Sequence, residues 1–506
     1  MAASDYVVRT QTGTAEVVDA GADLLVPFAN SVASSGSGIT YSAGTFTLGE
    51  TGKFLVLYSV QWGTTDTTAN ERTNAKTTLT LGTTELLEGY ATGYLRRSGG
   101  SQEFINFGAA VVDVTSTAST DDDLQVRIER IDDSTTGTVS LIADRSGITI
   151  LKLDDSWNYG LYRSSSAWTS SGTDHAATTS SIGTTDEQDG TVFARTSNTV
   201  AVNTSNLVIA IYSQKSEDST PTGRSEYQGR ITRGGTIHDA SYSQTYGPRV
   251  TDNSDWGGMS AICVWEGTGS SQDCEAVVVS RESGGETFES TFQLIELPAA
   301  ATGCIVSNTT AAGNINAAAT DYVWNNAADY IDTADFTYSS SQANIDVDNA
   351  GDYLVMAGMG AETTFAGTRA VPALGISVNS TQNEQTGNSA YNRNNGTAEY
   401  AAVNCGTLLT GLSANDSIAA ENDRIGTVTT SRTVVAGMGV VRLSSLFAND
   451  VEVTANTDAL TLAEQPATIA WDIGVTGTTD ALTLAEQSTT VDYVLPPPAN
   501  RVWFMR

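Results

Sequence analysis

Arg72-Thr73-Asn74-Ala75-Lys76-Thr77-Thr78-Leu79-Thr80-Leu81-Gly82 opens the stretch that decides the fold, because the chain carries its pattern three times. Arg72 is followed by Leu79, by the turn residue Gly82 and by Tyr94. Arg224 is followed at the same offsets by Ile231, Gly234 and Tyr246, and Arg369 by Ile376, Asn379 and Tyr391. No gap is needed in any of these comparisons. Asn stands in for Gly where a turn needs positive φ, so Asn379 fits. An Arg follows each Tyr closely: Arg96, Arg249 and Arg393. Each copy closes on one strand signature: Ile150-Leu151-Lys152-Leu153, Leu294-Ile295-Glu296-Leu297 and Val440-Val441-Arg442-Leu443. The closing strands lie one ordinary domain length apart.

Around this repeat the expected class is all-β: three tandem antiparallel jelly-roll sandwiches and a small C-terminal β-repeat segment. The domains are placed at 1–153, 154–298, 299–446 and 447–506. Short apolar stretches rich in Thr, Ser, Gly, Val and Ala, separated by turn signals, favour strands over helices. Phe54, Val56, Tyr58 and Val60 alternate onto one strand face, as do Leu124, Val126 and Ile128. Leu207 to Tyr212 and Tyr353 to Ala357 hold the place of Phe54 to Val60, with Asn206 and Gly351 in the place of Gly52.

From residue 447 the pattern changes. Thr457-Asp458-Ala459-Leu460-Thr461-Leu462-Ala463-Glu464-Gln465 recurs at 479–487, with Trp471 matched by Tyr493. Each unit is too small to bury a core alone, so it must dock on something. Three prolines, Pro496 to Pro498, then lead to Trp503, Phe504 and Arg506. Trp471, Tyr493, Trp503, Phe504 and Arg506 are therefore the candidate anchors to a partner, with folding back onto the chain's own domains as the plainer alternative.

The chain has 506 residues and a formal net charge of −33. Its lysines are Lys53, Lys76, Lys152 and Lys215. Such a surface repels nucleic acid and anionic lipid. No apolar run reaches bilayer length, and the first residues lack a secretory pattern, so cytoplasmic synthesis without a signal peptide is expected. Cys263, Cys274, Cys304 and Cys405 lie outside any Cys-x-x-Cys pair and read as small buried hydrophobes, with a hairpin disulfide between Cys263 and Cys274 as the alternative.

Catalytic signals are sparse. His175 and His238 are the only histidines, and neither has a nucleophile elbow nearby. The acids at 121–123, 132–133 and 154–155 read as solvated turns, and no EF-hand spacing offers them to calcium. No cofactor, metal or enzyme activity is expected. Arg72, Tyr94, Arg96, Arg224, Tyr246, Arg249, Arg369, Tyr391 and Arg393 carry two readings. They hold domain edges and subunit contacts together, or they form repeated surface corners that grip glycan or protein.

The strand rhythm of each block resembles the C1q and tumour-necrosis-factor-like globular domain. The features that carry it are the Gly-x-aromatic strand at Gly52 and Gly351, the short turns at Gly82, Gly234 and Asn379, and acidic turns at 121–123, Asp273 and Asp416. Asn206 departs from the pattern. The resemblance implies trimeric packing, by an intramolecular pseudo-trimer or a homotrimer. The whole chain resembles a tailed-bacteriophage head decoration or fibre protein. A structural protein on the virion surface, held to capsid or connector proteins through the C-terminal segment, is the function expected first. A receptor- or glycan-binding tail fibre contacting host-surface glycan, and a polysaccharide hydrolase, are the alternatives.

Overall fold

The computed structural model describes residues 5–443 apart from the stretches 12–16, 19–22, 37, 65–71, 97–102, 132–138, 165–166, 171–173, 177–183, 197–198, 219–224, 248–254, 281–283, 309–313, 316–319, 364–368, 384, 394–398 and 426–430. The repeats of 457–487 and the candidate anchors Trp471, Tyr493, Trp503, Phe504 and Arg506 lie outside the described residues, as do Arg224 and Arg249.

The chain is all-β; among the described residues every strand pair is antiparallel and there is one three-residue 3-10 turn, Asp239–Ser241. Six sheets form three two-sheet sandwiches of one topology. In the first sheet of block one, Glu103–Val114 lies at the edge, followed by Gly52–Thr64, Gly147–Lys152 and Tyr6–Thr10. The same order recurs as Asp255–Glu266, Leu207–Asp218, Gly284–Glu296 and Tyr159–Ser164 in block two. It recurs again in block three as Glu399–Leu412, Gly351–Thr363, Ser431–Arg442 and Gly303–Asn308. The second sheet of each block is built on the Arg strand: Arg72–Leu81, Ser225–Arg233 and Arg369–Val378. Each pairs with the late alternating strand Asp123–Arg130, Gln272–Ser280 or Ser417–Ile425.

The turn residues explain why the copies stay in register. Gly82, Gly234 and Asn379 have φ of +59°, +55° and +51°. The N–H of each donates to a carbonyl in the late strand: Asp123 at 2.8 Å, Asp273 at 2.7 Å and Ser417 at 2.9 Å. Asn tolerates this left-handed backbone because its short side chain bonds locally. Asn379 donates to Asp416 at 2.8 Å and accepts from the Ser417 N–H at 3.0 Å. Asn206 does not share the positive φ of Gly52; its side chain donates to Glu296 instead.

Phe54, Val56, Tyr58, Val60 and Trp62 fill the interior of sandwich one. Their neighbours Leu55 and Leu57 are buried too, on the other face. With Ile209, Ile211, Val355 and Ala357 they join one apolar core that runs through all three blocks. Strands buried on both faces read as continuous apolar runs, which is why Leu207 to Tyr212 has no polar alternation.

The four cysteines are free and buried. The hairpin disulfide is not formed: Cys263 pairs with Ala210 in one sheet, whereas Cys274 pairs with Val200 in the other. The connection 267–271 crosses between the sheets rather than closing a hairpin. Burial raises both thiols, Cys274 to about 12.

Candidate functional site

The repeated tyrosines meet. Tyr94, Tyr246 and Tyr391 form a triangle with ring centroids 4.9, 4.9 and 5.0 Å apart. They are 4%, 8% and 4% exposed, so they do not line three separate surface grooves. Each pair of rings sits within the range where aromatic quadrupoles attract. One tyrosine from each block thus meets at a single ring cluster.

Arg72 stands opposite Arg96, and Arg369 opposite Arg393, in cross-strand register beside the tyrosines. Trp157 packs partly buried against the shared core, and Tyr159 and Tyr90 are 2% and 1% exposed, so these three aromatic side chains serve block contacts too. Tyr159 lies in the block one–two junction, where the Lys53 ammonium stands 4.8 Å from its ring and pairs with Glu187 at 2.8 Å. In the same junction Arg163 holds the buried Glu88 at 2.7 Å.

The edge strands Glu103–Val114, Asp255–Glu266 and Glu399–Leu412 face the neighbouring blocks. An edge strand leaves alternate N–H and C=O groups unpaired, a template for unwanted pairing. Here side chains of the next block take those groups. The Gln293 amide accepts from the Val111 N–H and donates to the Val111 carbonyl, both at 2.8 Å. Asn404 accepts from the Ile262 N–H at 2.7 Å and donates to its carbonyl at 3.0 Å. Ser389 does the same for Ile105 at 2.8 and 3.3 Å. Thr92 accepts from the Gly258 N–H at 2.8 Å. Asn404 also donates to the Ala240 carbonyl at 2.6 Å, seating the 3-10 turn Asp239–Ser241 on block three. Gly358 and Gly437 make room for that turn. A Cβ on them would stand 2.0 Å from the Ala240 oxygen and 2.8 Å from Ala240 atoms.

These junction residues were not singled out from the sequence. Gln293, Asn404 and Ser389 differ from block to block, so the repeat does not flag them. The signal that existed was the unbroken apolar run of the long strands, which demands a second buried face.

Among the other candidates, His238 is half-buried, its ring 5.7 Å from Trp265. Burial and the Arg233 charge press its pKa down to about 4, so the ring is neutral at pH 7. His175 lies on the strand Asp174–Ala176. The acidic turns make local bonds: Asp122 accepts from the Gly49 N–H at 2.9 Å and Asp123 from Thr47 at 2.8 Å. Among the described residues, no group of three or more His, Cys, Asp or Glu side chains is placed to hold a metal ion. A cavity of about 230 Å³ opens between blocks one and three, beside Thr149 and Leu408.

No protein-family model matches the chain, and no curated protein matches it in sequence. Two solved structures of PNGF-II, in space groups C2 and P21, are each 9% identical to it, with TM-scores of 0.23 and 0.21. They cover 76% and 77% of this chain, and 98% and 99% of their own. A likeness that slight carries no argument about fold or function.

Proposed function

We propose that this chain is a structural protein of a tailed-phage particle, a head decoration or head fibre that displays three fused jelly-roll domains. In this reading the three blocks take the place of three subunits of a C1q- and tumour-necrosis-factor-like trimer, and residues 447–506 attach the body to another virion protein. The observation that carries it is the Tyr94–Tyr246–Tyr391 cluster, with the edge strands of each block closed by side chains of the next. That construction spends the repeated aromatic positions on internal cohesion, as a rigid display body requires. The net charge of −33 adds to it, since an acidic exterior stays dispersed and avoids nucleic acid.

The test is truncation after residue 446. The shortened chain is expected to keep the β-type circular dichroism and melting temperature of the intact body and to be missing from purified particles. Its incorporation at the normal level would sink the attachment role, and absence of the intact chain from particles would sink the virion reading itself.

A further inference from the structure

The three junctions are built from equivalent positions but filled unequally. Thr149, Gln293 and Gly439 stand opposite Leu57, Ile211 and Met356, one position for three blocks. Their targets on the neighbouring edge strands are Leu408, Val111 and Val264, which stand opposite Leu354, Leu55 and Ile209. Between blocks one and two the Gln293 amide takes both backbone groups of Val111. Between blocks two and three the glycine admits Val264, whose side chain lies 2.1 Å from where a Cβ on Gly439 would stand. Between blocks three and one the Thr149 hydroxyl accepts from the Leu408 N–H at 3.3 Å and reaches no further. There the cavity of about 230 Å³ opens. The Leu408 carbonyl points to the same side of the strand as its N–H, as antiparallel geometry requires.

We propose that this cavity binds a hexose bearing an acetamido group, whose amide takes the place that the Gln293 side chain holds at the sister junction. The acetamido N–H donates to the Leu408 carbonyl, and its methyl packs on Leu57. The sugar hydroxyls meet Asn383 and Thr410 at the rim. The space exceeds an amide alone yet falls short of drug-sized pockets, which begin at about 300 Å³. One sugar unit matches it. The site stands on junction geometry and does not depend on the virion reading.

Saturation-transfer NMR on the full chain, with N-acetylglucosamine and glucose as probes, tests it. Saturation is expected to be strongest on the N-acetyl methyl, with a Kd on the order of 1 mM. Glucose is expected to bind at least about tenfold more weakly. Thr149→Gln fills the cavity with the chain's own amide, so binding should vanish while the melting temperature rises. Val378→Trp, at the rim, should block the sugar without touching the strand edge, and it decides the matter if Thr149→Gln does not fold. Absence of transfer to N-acetylglucosamine, equal binding of glucose, or binding unchanged by Val378→Trp would each overturn the proposal.

Discussion

At the residue scale, two positions show how tightly neighbours constrain one another. Gly358 faces the Ala240 carbonyl, so a methyl group there meets backbone that cannot step aside. Gly358→Ala should destabilise the chain by about 3 kcal/mol, the upper end of overpacking costs. Gly190→Ala, in an exposed turn with only the Gln188 amide nearby, should stay within about 0.5 kcal/mol of wild type. Urea unfolding of both variants checks the pair. Glu421 is a second case. Burial, then the charges of Asp321 and Asp423, push its carboxyl up to about 7. A carboxyl raised by folding weakens the native state as pH climbs from its ordinary 4.5 through that value, and weakens nothing below 4.5. Glu421→Gln, which imitates the protonated form, should therefore melt above wild type at about pH 8 and together with it near pH 4. A pH-independent difference would contradict this assignment.

At the scale of the element, the edge strand and its captor decide stability. Val111 loses partners for both backbone groups in Gln293→Ala, and each buried orphan costs about 1–3 kcal/mol. A loss of about 2–4 kcal/mol is expected, with Gln293→Met recovering the packing but not the hydrogen bonds. Denaturant melts of the two variants separate these contributions. The elements themselves were legible beforehand. The offsets from Arg72, Arg224 and Arg369 found the Arg strand, its turn and the Tyr strand, and Asn379 was readable as a left-handed turn residue because its type allows little else. Capture of one block's edge by Gln293 or Asn404 was not legible. Side chains that satisfy a foreign backbone follow from three-dimensional proximity and leave no period in the sequence. The alternation of Phe54 to Val60 gave one buried face; the equal hydrophobicity of Leu55 and Leu57 held the other.

At the scale of the whole molecule, the blocks share one core, so they should not unfold separately. Tyr6, on the first described strand, donates to Asp352 at 2.8 Å, so block one touches block three directly. The connectors between blocks are short, and Asp155 and Ser156 in the first are exposed. A protease site placed at Asp155–Ser156 and cut in the folded protein should leave two pieces that elute together at the mass of the intact chain on size exclusion. Separate peaks would mean that the junctions do not hold without the covalent link.

The contact between Tyr6 and Asp352 also bears on how such a body can change over time. In a ring of identical subunits one replaced residue appears at every junction at once. Here each seam is encoded separately, and Gln293, Thr149 and Gly439 show three solutions already in place. A single seam is free to acquire a new task while the other two keep the assembly closed.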